Sequence, residues 1–141
     1  MKSIYQKQLL GLAQQARDIP KLLNPTHQAA ASNPMCGDRV TAFLAIEDGI
    51  IHGCQIEVKG CALCEAGAGL WAQNVTGKQL PELPALHEQL ENWLKTDEKA
   101  ASQLETALKG YATLTPVRAI KNRHKCVTLA FSTAGMFRPL S

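Results

Sequence analysis

RVTAFLAIEDGIIHGCQIEVKGCALCEAGAGLWAQNV, residues 39–75, holds two β-rich runs and a helix in direct succession. The runs at residues 39–46 and 50–58 are rich in Val, Ile, Thr and Phe and flank Glu47-Asp48-Gly49. Asp-Gly between two such runs predicts a hairpin, because both residues tolerate the positive φ of a tight turn. In the second run Ile50, His52, Cys54, Ile56 and Val58 share one face by strict alternation. Gly60 ends the strand, and residues 61–75 have the composition of a helix with small residues on its early turns. Glycine weakens a helix, so a close backbone or partner approach is the expected reason for Gly67 and Gly69.

Upstream, residues 3–17 set Ile4, Leu9, Leu12 and Ala13 near helical spacing and stop before Pro20, which predicts an amphipathic helix. Residues 18–35 carry Pro20, Pro25 and Pro34 and read as loop with a short strand at 27–32. Downstream, helical segments at residues 84–95 and 97–109 are separated by Thr96, an N-cap candidate. A break from Gly110 to Pro116 follows, and a last element begins near Arg123. Two neighbouring strands followed mainly by helices predict an α+β fold: a small antiparallel sheet with helices packed on it. At 141 residues the chain reads as one domain over residues 1–141.

Composition excludes several partners. The net charge is +3, and the basic residues are scattered, densest at Arg118, Lys121, Arg123 and Lys125. That is too thin for a nucleic-acid footprint. No apolar run approaches the ~20 residues of a membrane span, and MKSIYQKQLL lacks the apolar core of a secretory signal. A cytoplasmic location without nucleic acid or membrane partners is the expectation. In a reducing compartment the five cysteines read as metal or redox residues rather than a disulfide framework.

Cys36 and Asp38 lie on a Pro/Gly-rich loop, Cys61 and Cys64 at a strand-to-helix junction, and Cys126 late in the chain. A tetrahedral thiophilic site draws about four soft or borderline ligands from separate segments, and loops at strand ends and helix starts allow that convergence. Cys61 stands where helix N–H groups favour a thiolate, the form that ligates metal or attacks a persulfide. Buried cysteines acting as small hydrophobes are the plain alternative.

NPMCGDRV at 33–40 resembles the N-P-x-C-G-D-x loop of the iron–sulfur cluster assembly scaffolds of the NifU, IscU and SufU types. VKGCALC at 58–64 is similar to that family's G-x-G-C-A-I-S junction, and RHKCVTLAF at 123–131 to its R-x-K-C-A-x-L-x-W segment. The resemblance implies an IscU/SufU-like fold with Cys36, Asp38, Cys61 and Cys126 in the ligand positions. It implies zinc or a labile 2Fe–2S cluster there, and sulfur taken from a cysteine desulfurase of the SufS or IscS kind. Downstream apo iron–sulfur proteins or cluster carriers would be the recipients. The helical insert near residues 84–109 and Lys125 before the last cysteine favour the SufU-like subtype. On this reading the protein is either a zinc-dependent sulfurtransferase or a non-catalytic cluster scaffold. Cys36, on a Pro- and Gly-flanked loop, is the expected sulfur acceptor. GLAQQARDIP stands where the family carries H-Y-x-N-P-R.

Other residues carry weaker signals. Asp38 by itself reads as a turn residue; the resemblance makes it a ligand. Cys64 is either a spare or resolving thiol beside the site or a small residue packed inward. Arg123 is solvated or holds thiolate charge near Cys126. In an extended segment His124 would share the side of Cys126 as a reserve ligand. Cys54, Trp71, Trp93 and Phe131 read as packing residues, the last three in the core or at an interface, and His27, His52 and His87 as structural. Two other classes remain open: a thioredoxin-like dithiol protein using Cys61 and Cys64, which expects a βαβ unit, and a structural zinc adaptor.

Overall fold

The computed structural model describes residues 3–35 and 37–140. Helix α1 (Ser3–Asp18) leads into β1 (His27–Asn33), β2 (Asp38–Glu47) and β3 (Ile50–Lys59). Helices α2 (Ala62–Asn74), α3 (Leu83–Leu94), α4 (Lys99–Ala107) and α5 (His124–Thr128) follow, with 3₁₀ turns at Tyr111–Ala119 and Lys121–Arg123 and a short last strand, β4 (Arg138–Pro139). The strands form one sheet in the order β3-β2-β1-β4, antiparallel at every pairing. This is the α+β arrangement that the hairpin and the helical segments predict.

The β2–β3 turn has Asp48 at φ 54° and Gly49 at φ 78°, both in the left-handed region, as Asp-Gly foreshadows. The strands then slip. Ile46 pairs with Ile51, but Ala45 pairs with Gly53, so β3 carries one extra residue at a bulge around His52. A one-residue slip exchanges faces, which corrects the strict alternation expected for this strand. Before the bulge it is Ile51 that is fully buried, and beyond it Ile56 is buried while Cys54 and Val58 pack against the core; His52 is exposed.

Val40, Ala42 and Leu44 of β2 and Ala29 and Ala31 of β1 give the sheet one buried face. Leu9, Leu12, Ala13 and Ala16 of α1 are buried in the same core, joined by Leu70 and Trp71 of α2. Trp93 and Phe131 are buried too, Trp93 edge-on to Tyr111 with ring centroids 5.0 Å apart and beneath the Arg118 guanidinium at 4.6 Å. That stack pins α3 to the 3₁₀ segment, and Arg118 Nε also donates to the Trp93 carbonyl at 2.9 Å.

Thr96 departs from expectation. It sits at φ 72° just past α3, its N–H donating to the Trp93 carbonyl at 2.9 Å. Asp97 instead accepts from the Lys99 N–H at 3.0 Å, so a carboxylate, not the Thr hydroxyl, takes up a free N–H at the start of α4. The segment holding His124 and Cys126 is helical rather than extended. Positions two apart on a helix point to nearly opposite sides, which separates those two side chains.

Gly67 and Gly69 answer to a close approach of neighbouring backbone. A Cβ on Gly67 would lie 2.1 Å from the Val127 carbonyl oxygen, and one on Gly69 would lie 1.9 Å from that of Leu12. Neither obstacle is a flexible side chain, so Gly67→Ala and Gly69→Ala should each cost about 3 kcal/mol or more in urea unfolding. Gly11, within α1 with nothing within 4 Å of its virtual Cβ, is the control. Gly11→Ala should stabilise by ~0.5–1 kcal/mol through helix propensity; equal effects at all three positions would contradict this packing.

Candidate metal centre at the end of the sheet

The register of the hairpin begins the site. Arg39 pairs with Lys59 and Asn33 with Asp38, so the start of β2 lies beside the Gly60–Cys61 step that leaves β3. Asp38 is buried against that step: a Cβ on Gly60 would sit 2.8 Å from Asp38 Oδ1 and 2.9 Å from its Cγ. Gly60 therefore leaves the space that the carboxylate fills. Cys61, at the N-cap of α2, is half-buried, and its Sγ lies 4.0 Å from Asp38 Oδ2.

Cys126 arrives from the other direction. It is buried in α5, next to Val127, whose backbone presses on Gly67 of α2. The contact that demands a glycine thus also sets the thiol of Cys126 beside the start of α2. One ligand atom each from Asp38, Cys61 and Cys126 lies within 4.8 Å of the other two. A tetrahedral zinc with Zn–S of ~2.3 Å and Zn–O of ~2.0 Å spaces its ligand atoms roughly 3.5–3.8 Å apart. A contraction of at most about 1.3 Å would bring the three into coordination distance. Two thiols and one carboxylate are a donor set that suits zinc or iron, and the space left by Gly60 accommodates the carboxylate.

The sequence-derived residues fall into groups. Cys36 lies outside the described residues; the Gly37 N–H donates to the Asn33 carbonyl at 2.8 Å. Cys64 is fully buried in the hydrophobic core and outside the three-residue cluster. Arg123 is exposed where the chain enters α5. His124 turns its Nε2 to the carbonyls of Val117 and Arg118 at 3.0 and 3.1 Å, away from a ligand role. Gly60 and the register partner Asn33 were not singled out by sequence reasoning. Counting pairs back from the Asp48-Gly49 turn would have approached them, but the bulge displaces that count by one residue.

Cys54 belongs to the packing. Its Sγ donates to the Ala72 carbonyl at 3.4 Å. Burial pushes its thiol above the ordinary value of 9.0, with a smaller opposing pull from the Thr76 side chain.

An α+β fold whose hairpin end and two helices bring two thiols and a carboxylate together defines a small protein built around a compact ligand cluster. The chain belongs to the NifU-like N-terminal domain family, which matches residues 4–116. It is 27% identical to the iron–sulfur cluster assembly scaffold protein IscU of Thermotoga maritima over 132 residues, 94% of this chain and 90% of the relative. It is 24% identical to the zinc-dependent sulfurtransferase SufU of Bacillus subtilis, over 78% of this chain and 73% of that one. The crystal structure of a NifU-like protein (N-terminal) from Brucella abortus superposes with a TM-score of 0.72 at 32% identity, covering 92% of this chain and 88% of that one. A structure from Fervidobacterium islandicum, described as a cluster assembly scaffold for the SUF system, shares the fold with a TM-score of 0.76 at 22% identity, over 94% of each chain.

The raised Cys54 pKa gives a pH expectation of definite sign. A group whose folded-state pKa lies above its unfolded value contributes stability that is fully present below the unfolded value, here 9.0. That contribution is lost as pH rises through the raised value. Unfolding titrations on the wild type and Cys54→Ser should therefore diverge less at pH 10 than at pH 8. Iodoacetamide should also label Cys54 more slowly at pH 8 than it labels the urea-unfolded chain; equal rates would contradict the assignment.

Proposed function

We propose that this protein is an iron–sulfur cluster assembly protein that accepts sulfur from a cysteine desulfurase, with Cys36, Asp38, Cys61 and Cys126 as its ligand set. The observation that carries the reading is the convergence of Asp38, Cys61 and Cys126 within 4.8 Å. The NPMCGD loop supplies the fourth residue by resemblance, and Met35 and Gly37, its neighbours in sequence, are exposed. The relatives named as cluster scaffolds and as a zinc-dependent sulfurtransferase support the same chemistry. A zinc ion held there would keep its cysteine ligands as thiolates.

The sulfur step needs one nucleophilic thiolate. The acceptor thiolate attacks the terminal sulfur of the donor's Cys–S–SH, a new S–S bond forms, the donor's S–S bond breaks, and its thiolate leaves. The proton stays on the transferred sulfur, so charge and electrons balance. Cys36 suits this role because its loop is flanked by Pro34 and Gly37. Cys126 is buried and Cys61 half-buried at a helix start, positions better suited to hold a ligand than to meet a partner. A carboxylate among thiolates loosens the grip on a soft metal or cluster, which suits a protein that hands its cargo on. The dithiol alternative loses ground, since every strand pairing is antiparallel and, among the described residues, no βαβ unit precedes Cys61.

Two measurements test this. In cobalt(II) titrations Cys61→Ser and Cys126→Ser should lose most of the metal affinity, whereas Cys64→Ser should retain it. Gly60→Ala, by crowding Asp38, should weaken binding about tenfold. Equal loss in Cys64→Ser would move that residue into the ligand set. Incubation with a cysteine desulfurase and cysteine, followed by peptide mapping, should then find persulfide first on Cys36. Cys36→Ala should abolish stimulation of the desulfurase and leave the fold intact. Persulfide first on Cys61 or Cys126 would reassign the acceptor. Zinc bound with no persulfide on any cysteine would leave a structural adaptor.

A further inference from the structure

Two concave surfaces meet along α5. One, of about 520 Å³, lies between the outer edge of β1 and helices α3 and α5, and includes Ser32, Arg39, His87 and Lys125. The other, of about 410 Å³, lies between the α3–α4 junction and the 3₁₀ segments, and includes Lys95, Arg118 and Lys121. Glu91, Lys125 and Thr128 line both, so the two adjoin along α3 and α5. One end includes Asn33 and Arg39, the register partner and the sequence neighbour of Asp38, so the groove begins beside the strand end that carries that carboxylate.

The groove is cationic. Arg39, Lys95, Lys121 and Lys125 are exposed and make no ion pair among the described residues. Glu91 is the only carboxylate among the described lining residues, and His87 Nε2 lies 3.4 Å from its Oε1. Arg118 is already engaged by Glu98. The chain as a whole carries only +3, so this is a local concentration of charge. One wall is also a strand edge, faced across the cavity by Ser132 and Met136 of the 3₁₀ turn Phe131–Gly135 and the residue after it. Strand β4 covers His27 and Gln28 alone, and at residues 29–32 the outer edge of β1 carries no strand among the described residues. An open edge accepts an extended peptide through main-chain hydrogen bonds.

We propose that this groove binds an extended, acidic segment of a partner protein, laid along the edge of β1 with its carboxylates on Arg39, Lys125, Lys95 and Lys121. A segment so placed ends at the Asp38–Cys126 corner and would bring the partner's own reacting group there. Only the identity of that partner, a sulfur donor or a recipient of the assembled cluster, rests on the proposed function. The charge, the edge and the course of the groove do not.

The test uses the full chain and a fluorescein-labelled peptide of about ten residues alternating Glu and Thr, followed by fluorescence anisotropy at low and high salt. The Glu peptide should bind, more weakly as salt rises, and its Gln counterpart should not. Lys95→Glu/Lys121→Glu, away from the ligand cluster, should weaken binding about tenfold or more. Lys7→Glu/Lys21→Glu, an equal charge change on exposed residues elsewhere, should leave it within about twofold. Amide signals of residues 29–32 should shift in NMR spectra on peptide addition. Equal weakening by both double variants, no binding of the Glu peptide, or full displacement by inorganic phosphate alone would overturn the proposal. The assay reads no sulfur transfer, so its failure leaves the persulfide result standing, and the reverse also holds.

Discussion

Among the described glycines, the two with the least room for a side chain lie on α2 and face neighbouring backbones. Gly69 receives the Leu12 carbonyl of α1 and Gly67 the Val127 carbonyl of α5, each at a separation that leaves no room for a methyl group. Protein interiors are dense enough that such a contact cannot shift by half an ångström without opening a void or forcing a clash. One short helix thereby fixes two others, and through α5 it fixes Cys126. The α2 positions that look weakest by helix propensity are thus the ones that orient the molecule.

The second constraint is the register of the hairpin. Its turn sets the count from one end, and the bulge near His52 resets it by one residue partway along. From there to the open end of the hairpin the pairing holds, delivering Asp38 to the notch left by Gly60. Carboxylate and thiols arrive on separate elements, β2, the start of α2 and α5. A cluster built on such supports takes its geometry from the surrounding fold.

The helices between Cys61 and Cys126 have a place in the same picture. Helix α3 is pinned through Trp93, Tyr111 and Arg118 to the segment that leads into α5, so it braces the element carrying Cys126. It also supplies the outer wall of the cationic groove beside the ligand cluster. One helical segment therefore contributes both to holding the ligand cluster and to shaping the surface beside it.

The alternation of apolar residues around Asp48-Gly49 determined the hairpin, and the spacing of Leu9, Leu12 and Ala13 determined α1, because both signals are local. The glycine pair at positions 67 and 69 announced close contact, and the NPMCGD, GCALC and RHKC segments contain the three residues, Asp38, Cys61 and Cys126, that the fold brings together. What touches those glycines could not be read, since Val127 and Leu12 are distant in sequence and only packing selects them. The bulge was equally hidden, because it leaves composition unchanged and exchanges the two faces of β3. Asp97 rather than Thr96 at the start of α4, and helix rather than strand around Cys126, turned on tertiary contacts that outweigh local preference. The sequence determined which side chains could form a ligand cluster; packing across α2 and the register of the hairpin decided that Asp38, Cys61 and Cys126 meet, because convergence in space depends on contacts between distant segments.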